Sequence, residues 1–190
     1  MFKKLPIYKI GIDDNVNGIM KMSLVDAPAV ESLFVALNEK GIPQMYSIDK
    51  QKHIVFGCAL RADFLIYRYD ERIGEYYNVF DKETIQHIVE RFFKDGHSKD
   101  VNLMHSIDTN GIYLTKSFIK DSANGINPKG FEDIADGSWF VEYKVENEDV
   151  WKHILDGTFQ GFSIEGFFNM EMVEDVSKDE IEEYINSILN

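Results

Sequence analysis

Val101-Asn102-Leu103-Met104-His105-Ser106-Ile107-Asp108-Thr109-Asn110-Gly111-Ile112-Tyr113-Leu114 is the stretch that decides the fold class. Two apolar runs, Val101 to His105 and Gly111 to Ile119, flank Asp-Thr-Asn-Gly. Short polar side chains and a glycine favour a turn there. The spacing between the runs leaves no room for a helix, so the unit reads as strand, turn, strand.

The same pattern dominates outward from this unit. Ile7 to Ile12 and Ile19 to Val25 are strand candidates around Asp13-Asp14-Asn15-Val16-Asn17-Gly18, which predicts a hairpin. His53 to Leu60 and Phe64 to Tyr69 read as strands, Ser138 to Val145 as a half-buried one, and Phe159 to Met172 as a long extended run with two interior glycines. Helical spacing occurs in three places. After Asp81, a candidate N-cap, Ile85, Ile88, Val89, Phe92 and Phe93 recur on one face until Gly96. Val150, Trp151, Ile154 and Leu155 form a short amphipathic turn ended by Gly157. Ser177-Lys178-Asp179-Glu180 is a capping box that opens a terminal helix over 177–190. Strands outnumber helices and do not alternate with them, so a doubly wound sheet is excluded. The expectation is one α+β, strand-rich domain over 1–190, a barrel or curled sheet with about three helices packed outside.

Composition narrows the function classes. Hydrophobic residues make up 44% of the 190, enough for a core. The formal charge of −13 repels nucleic acid and anionic lipid, so neither is an expected partner. No run is long enough to span a membrane, and Met1 to Pro6 lacks the apolar stretch of a signal peptide. The single cysteine, Cys58, suits a reducing cytoplasm and reads as a buried small hydrophobe in the run Ile54 to Leu60. No histidine pair has metal-ligand spacing, so neither a metal nor another cofactor is expected.

Two positions carry possible chemistry. His105 ends an apolar strand just before a turn, where a rigid scaffold meets accessible surface. Ser163 lies in Gly161-Phe162-Ser163-Ile164-Glu165-Gly166, where glycines let another backbone come close. A serine hydroxyl attacks a carbonyl only when a base removes its proton, and imidazole is the usual base near neutral pH. Each position has a plain structural reading as well, a sheet-edge histidine and a polar residue at a strand bulge. The spacing of Ser163 does not fit a nucleophile elbow, because the second glycine comes one residue late and no helix follows.

From about Tyr8 to Phe168 the chain resembles the XkdF-like phage serine proteases, relatives of prohead proteases and, in fold, of herpesvirus assemblins. The segments that carry the resemblance are Ile19 to Ala29, with Ser23-Leu24-Val25-Asp26-Ala27-Pro28-Ala29; Ile66-Tyr67-Arg68, Gly74-Glu75-Tyr76-Tyr77 and Phe80 to Ile85; then His105, Gly137-Ser138-Trp139, Val150-Trp151, and Gly157 before Gly161 to Gly166. The resemblance implies a distorted antiparallel β-barrel surrounded by helices, His105 as base and Ser163 as nucleophile. It implies cleavage of phage scaffold and major capsid protein inside the assembling procapsid, in the host cytoplasm, and leaves self-association open. The third member of a triad has two candidates, Glu165 and Asp26; the alternative is a weaker Ser-His dyad with no acidic third member. Glu165 shares a strand face with Ser163. Lys21 stands where the family pattern has an acidic residue, and Lys116-Ser117 where it often has Glu-Ser, which makes Ser117 a rival polar position. The alternative is a catalytically degenerate relative with a structural or scaffold-associated role.

Overall fold

Trp139-Phe140-Val141-Glu142-Tyr143-Lys144-Val145 alternates Trp139, Val141, Tyr143 and Val145 on one side with Phe140, Glu142 and Lys144 on the other. In the computed structural model, which describes residues 5–12, 18–26, 47–49 and 52–173, this segment is buried on both faces. It is therefore a central strand and not the half-buried one that alternation suggested. Trp139, Val141 and Tyr143 enter the main core, while Phe140 faces a second cluster with Cys58, Phe131 and Ile134.

The described elements run in the order β1 (Ile7–Gly11), β2 (Gly18–Val25), β3 (Ser47–Asp49), β4 (Ile54–Leu60), β5 (Ile66–Asp70), β6 (Gly74–Val79), α1 (Lys82–Lys94), β7 (Val101–Leu103), β8 (Ile107–Thr109), β9 (Ile112–Ile119), β10 (Trp139–Val145), α2 (Glu148–Leu155), β11 (Gly161–Phe167) and β12 (Asn169–Met172). They form three four-stranded sheets, ordered β12-β1-β6-β5, β3-β4-β10-β9 and β11-β2-β7-β8.

Three expectations are corrected here. There is no closed barrel among the described residues. Each sheet is open, and no ladder joins the edge of one to the edge of another. Several strands have only three or four residues, too few to carry a ladder around a barrel. Nor are the sheets wholly antiparallel, since β1–β6 and β2–β7 pair in parallel. Parallel partners need a long crossover, and α1 lies on the one from β2 to β7. The predicted hairpin of β1 with β2 is also absent. The two strands lie in different sheets, and each takes its antiparallel partner from the long extended run near residue 165, β12 for β1 and β11 for β2.

Two α-helices are present among the described residues, and the expected helix over 177–190 lies outside them. The α1 helix starts at Asp81, whose carboxylate accepts the Thr84 N–H at 2.7 Å and pairs with Lys9 at 2.6 Å. Ile85, Ile88 and Phe92 are its buried stripe, and Phe92 meets Trp139 edge-on at 5.3 Å. Asn147 caps α2 by accepting the N–H groups of Asp149 and Val150. Val150, Trp151 and Ile154 face the core. The α1 helix packs against β2, and α2 against β10.

Candidate functional site

Three segments of the sheet of β11, β2, β7 and β8 share one pattern, a polar residue between apolar ones: Met22-Ser23-Leu24, Val101-Asn102-Leu103 and Phe162-Ser163-Ile164. Side chains alternate across a strand, so the apolar flanks take one face and the polar centres the other. Met22, Leu24, Val101 and Phe162 are in the main core. The register then sets the polar residues side by side. Ser163 lies opposite Ser23 across the β11–β2 pair, and Ser23 opposite Asn102 across β2–β7. Cross-strand neighbours of this kind sit about 5 Å apart at Cβ, within reach of direct hydrogen bonds.

His105 comes onto this row from the connection of β7 to β8. The strand stops at Leu103, so His105 lies in the turn and not at the strand end. Ser106 N–H donates to the Leu103 carbonyl at 3.1 Å, and the two central residues, Met104 and His105, have φ of 53° and 56°. Positive φ at both positions is the sense of a type I′ turn, which favours asparagine and glycine. A side chain in this conformation costs about 1 kcal/mol per residue. The Met104 N–H donates to the Leu24 carbonyl at 3.0 Å and ties the turn to β2. Strain held in place this way directs a side chain, here the imidazole.

The imidazole bridges two serines. Its Nε2 is 3.1 Å from Ser163 Oγ, and its Nδ1 is 2.8 Å from Ser23 Oγ. Ser23 Oγ donates to Asn102 Oδ1 at 2.5 Å, and Asn102 Nδ2 donates to Glu165 Oε2 at 2.6 Å. Ser23 is fully buried and Ser163 is 6% exposed, whereas the side chains of His105 and Glu165 are each 42% exposed. The row thus runs from a closed interior to an accessible edge.

Of the residues singled out from the sequence, His105 and Ser163 meet directly. Glu165 joins them at one remove: its Oε2 is 3.7 Å from His105 Nδ1 and is bonded to Asn102. A register shift between Glu165 and Gly166 re-aims this part of β11. Gly166 is required there, because a Cβ on it would fall 2.1 Å from the Gly18 carbonyl oxygen. Asp26 sits exposed just past β2, and is not among the partners of His105. Lys21, opposite Glu165 in register, turns instead to Asp108 at 2.5 Å, whose hydrogen bond raises the ammonium pKa. Ser117 accepts the indole N–H of Trp139 at 2.8 Å, away from His105. Cys58 is buried, its thiol pushed up to about 12 by loss of solvent, and it donates to the Leu60 carbonyl. A thiol held protonated in this way is no nucleophile.

Sequence reasoning missed Ser23 and Asn102. The available signal was a polar residue enclosed in an apolar strand, repeated three times. One such residue is ordinary; the three become a site only through register.

Among the described residues, no group of three or more His, Cys, Asp or Glu is placed to hold a metal ion. No helix among them is long and apolar enough to cross a membrane. No curated protein and no solved structure gives a significant match to the chain. The family model described as "Putative phage serine protease XkdF" matches residues 43–174, more than two thirds of the chain. The match holds Asn102, His105, Ser163 and Glu165 and begins after β2, so Ser23 and the Ser23-to-Ala29 segment stand outside it. A match of this extent shows that the chain belongs to that family.

Proposed function

We propose that the chain is a serine endopeptidase of phage prohead maturation, with Ser163 as nucleophile and His105 as general base. Its substrates are extended segments of the scaffold or the major capsid protein, cut inside the assembling procapsid. The observation that carries the reading is the 3.1 Å contact of His105 Nε2 with Ser163 Oγ, made while Nδ1 is already engaged by Ser23. Hydrogen-bond reach from nucleophile to base, with the base oriented from behind, is the geometry that acyl transfer requires.

Two serines touch the same imidazole, and physical chemistry separates them. The Ser23 hydroxyl is buried and donates to Asn102, so its oxygen cannot approach a peptide carbonyl. Ser163 lies on β11, an edge strand of its sheet, beside which an extended peptide can be laid. In the first step Ser163 Oγ bonds to the scissile carbonyl carbon while its proton passes to His105 Nε2. The imidazolium then gives that proton to the departing amine as the C–N bond breaks. Water, deprotonated by the same nitrogen, releases the acyl group from Ser163.

One observation favours a second reading, a degenerate relative with a structural role in the virion. The nearest carboxylate stands 3.7 Å from the imidazole and is not bonded to it. Co-expression with the cognate scaffold decides between the two. Defined scaffold fragments with the wild type, and intact scaffold with Ser163→Ala, support the protease. Intact scaffold with both, in a folded complex, supports the structural role.

A further inference from the structure

Glu165, Asn102 and Ser23 form one continuous hydrogen-bonded chain that ends on His105 Nδ1. We propose that this chain fixes the direction of every proton in the site, and that Ser23 is the positioning residue that holds His105 as a base toward Ser163. The inference rests on the reading of Ser163 as nucleophile and goes beyond it to what keeps the imidazole in the competent tautomer.

An ionised carboxylate only accepts hydrogen bonds, so the group that Asn102 turns to Glu165 must be its NH₂. The other half of the amide, Oδ1, then faces Ser23 and can only accept. Ser23 has one proton and gives it to Asn102, so toward His105 it offers a lone pair. Nδ1, at 2.8 Å, must therefore carry the hydrogen and donate it. A neutral imidazole with Nδ1–H has a bare Nε2, and the bare nitrogen faces the Ser163 hydroxyl at 3.1 Å. Each link allows one direction only, because the chain begins at a group with no proton to give.

Ser23 itself could serve either direction, since a hydroxyl donates and accepts equally well. That distinguishes it from a carboxylate at the same place, which would orient the ring by its own charge. Here the carboxylate of Glu165 stands 3.7 Å from Nδ1 without a direct hydrogen bond, three links away along the chain, and the hydroxyl passes its polarity on. The register that places Ser23 between Ser163 and Asn102 is what makes the arrangement possible.

The decisive variant is Glu165→Gln. It keeps the shape, but an amide can also donate, so the whole chain is free to reverse. In the reversed state Asn102 donates to Ser23, Ser23 donates to Nδ1, and Nε2 carries the hydrogen. Ser163 then faces a donor and has no base. The test is nitrogen NMR of isotope-labelled histidine in the full chain, at about pH 8.5, above the ordinary imidazole range. The His105 signals are assigned by their loss in His105→Gln. The wild type should show Nδ1 protonated and Nε2 bare. Glu165→Gln, and separately Ser23→Ala, should shift the population toward protonated Nε2. Scaffold cleavage by Glu165→Gln should fall about 2- to 10-fold in kcat, in proportion to the competent fraction, with KM little changed. Protonated Nε2 in the resting wild type, or a tautomer indifferent to both substitutions, overturns the proposal. The spectrum is read without substrate, so this failure is distinct from any failure of Ser163 as nucleophile, which the cleavage assay reads separately.

Discussion

Two of the buried polar clusters among the described residues end differently. Below β10, Lys120 is 3% exposed, and its ammonium donates to the backbone carbonyls of Phe131, Glu132 and Ile134. Every ammonium hydrogen has a fixed acceptor, and the result is a clamp. It holds the loop that carries Phe131 and Ile134 against Phe140 and Cys58. The row on β11, β2 and β7 is as well bonded, but its last proton belongs to Ser163 and points at an imidazole that is partly exposed. A closed set of bonds can only stabilise. A set that runs out to an accessible hydroxyl and a base can also move a proton.

The contrast predicts opposite phenotypes. The largest effect belongs to Ser163→Ala, which should lower scaffold cleavage by about 10⁴-fold or more, with the urea midpoint almost unmoved. Next is Lys120→Met. Three carbonyls, those of Phe131 and Ile134 in buried contacts, would lose a charged donor, and equilibrium unfolding should show a loss of about 3 kcal/mol. The folded fraction should still cleave at the wild-type kcat; a lowered kcat there would show that the two regions are coupled. Ser117→Ala sharpens the comparison at the rival serine. It leaves the Trp139 indole N–H without its acceptor, so stability should fall by about 1–2 kcal/mol while cleavage is unchanged.

Asp81→Ala is the smallest effect and the pH-dependent one. Burial raises the Asp81 carboxyl, but the hydrogen bonds from Lys9 and the Thr84 N–H outweigh it and hold its pKa below the ordinary value. A depressed pKa contributes stability that is present above the unfolded value and lost as pH falls through the folded one. Thermal melts should thus put the variant about 1 kcal/mol below wild type at neutral pH, and the gap should close in acid, below the usual aspartate range. A gap that persists there would show that packing, and not the charged cap, carries the effect.

Local chemistry explains what the sequence made legible. Asp81 and Gly96 bound α1, Gly157 follows α2, and β4, β9 and β10 lie within about two residues of their predicted spans, because caps, glycines and apolar spacing are short-range signals. Pairing is long-range and was not legible. The turn at 13–18 looked like a hairpin, yet β1 and β2 take partners some 150 residues on. Gly74 to Val79 is a strand whose run Gly-Glu-Tyr-Tyr-Asn-Val has no clean alternation, and it went unpredicted. A strand end and flanking glycines mark His105 and Ser163 as candidates, and only the resemblance pairs them as base and nucleophile. Ser23 escaped even that, because the family pattern draws attention to an acidic position two residues earlier, where Lys21 stands, and not to a hydroxyl facing inward.

Two serines touch the same imidazole, and a serine-directed phosphonate, followed by mass mapping of the modified peptide, tells which one is the nucleophile. A single adduct on Ser163, absent in His105→Ala, is expected. An adduct on Ser23, or none on the folded wild-type protein, would contradict Ser163 as the nucleophile.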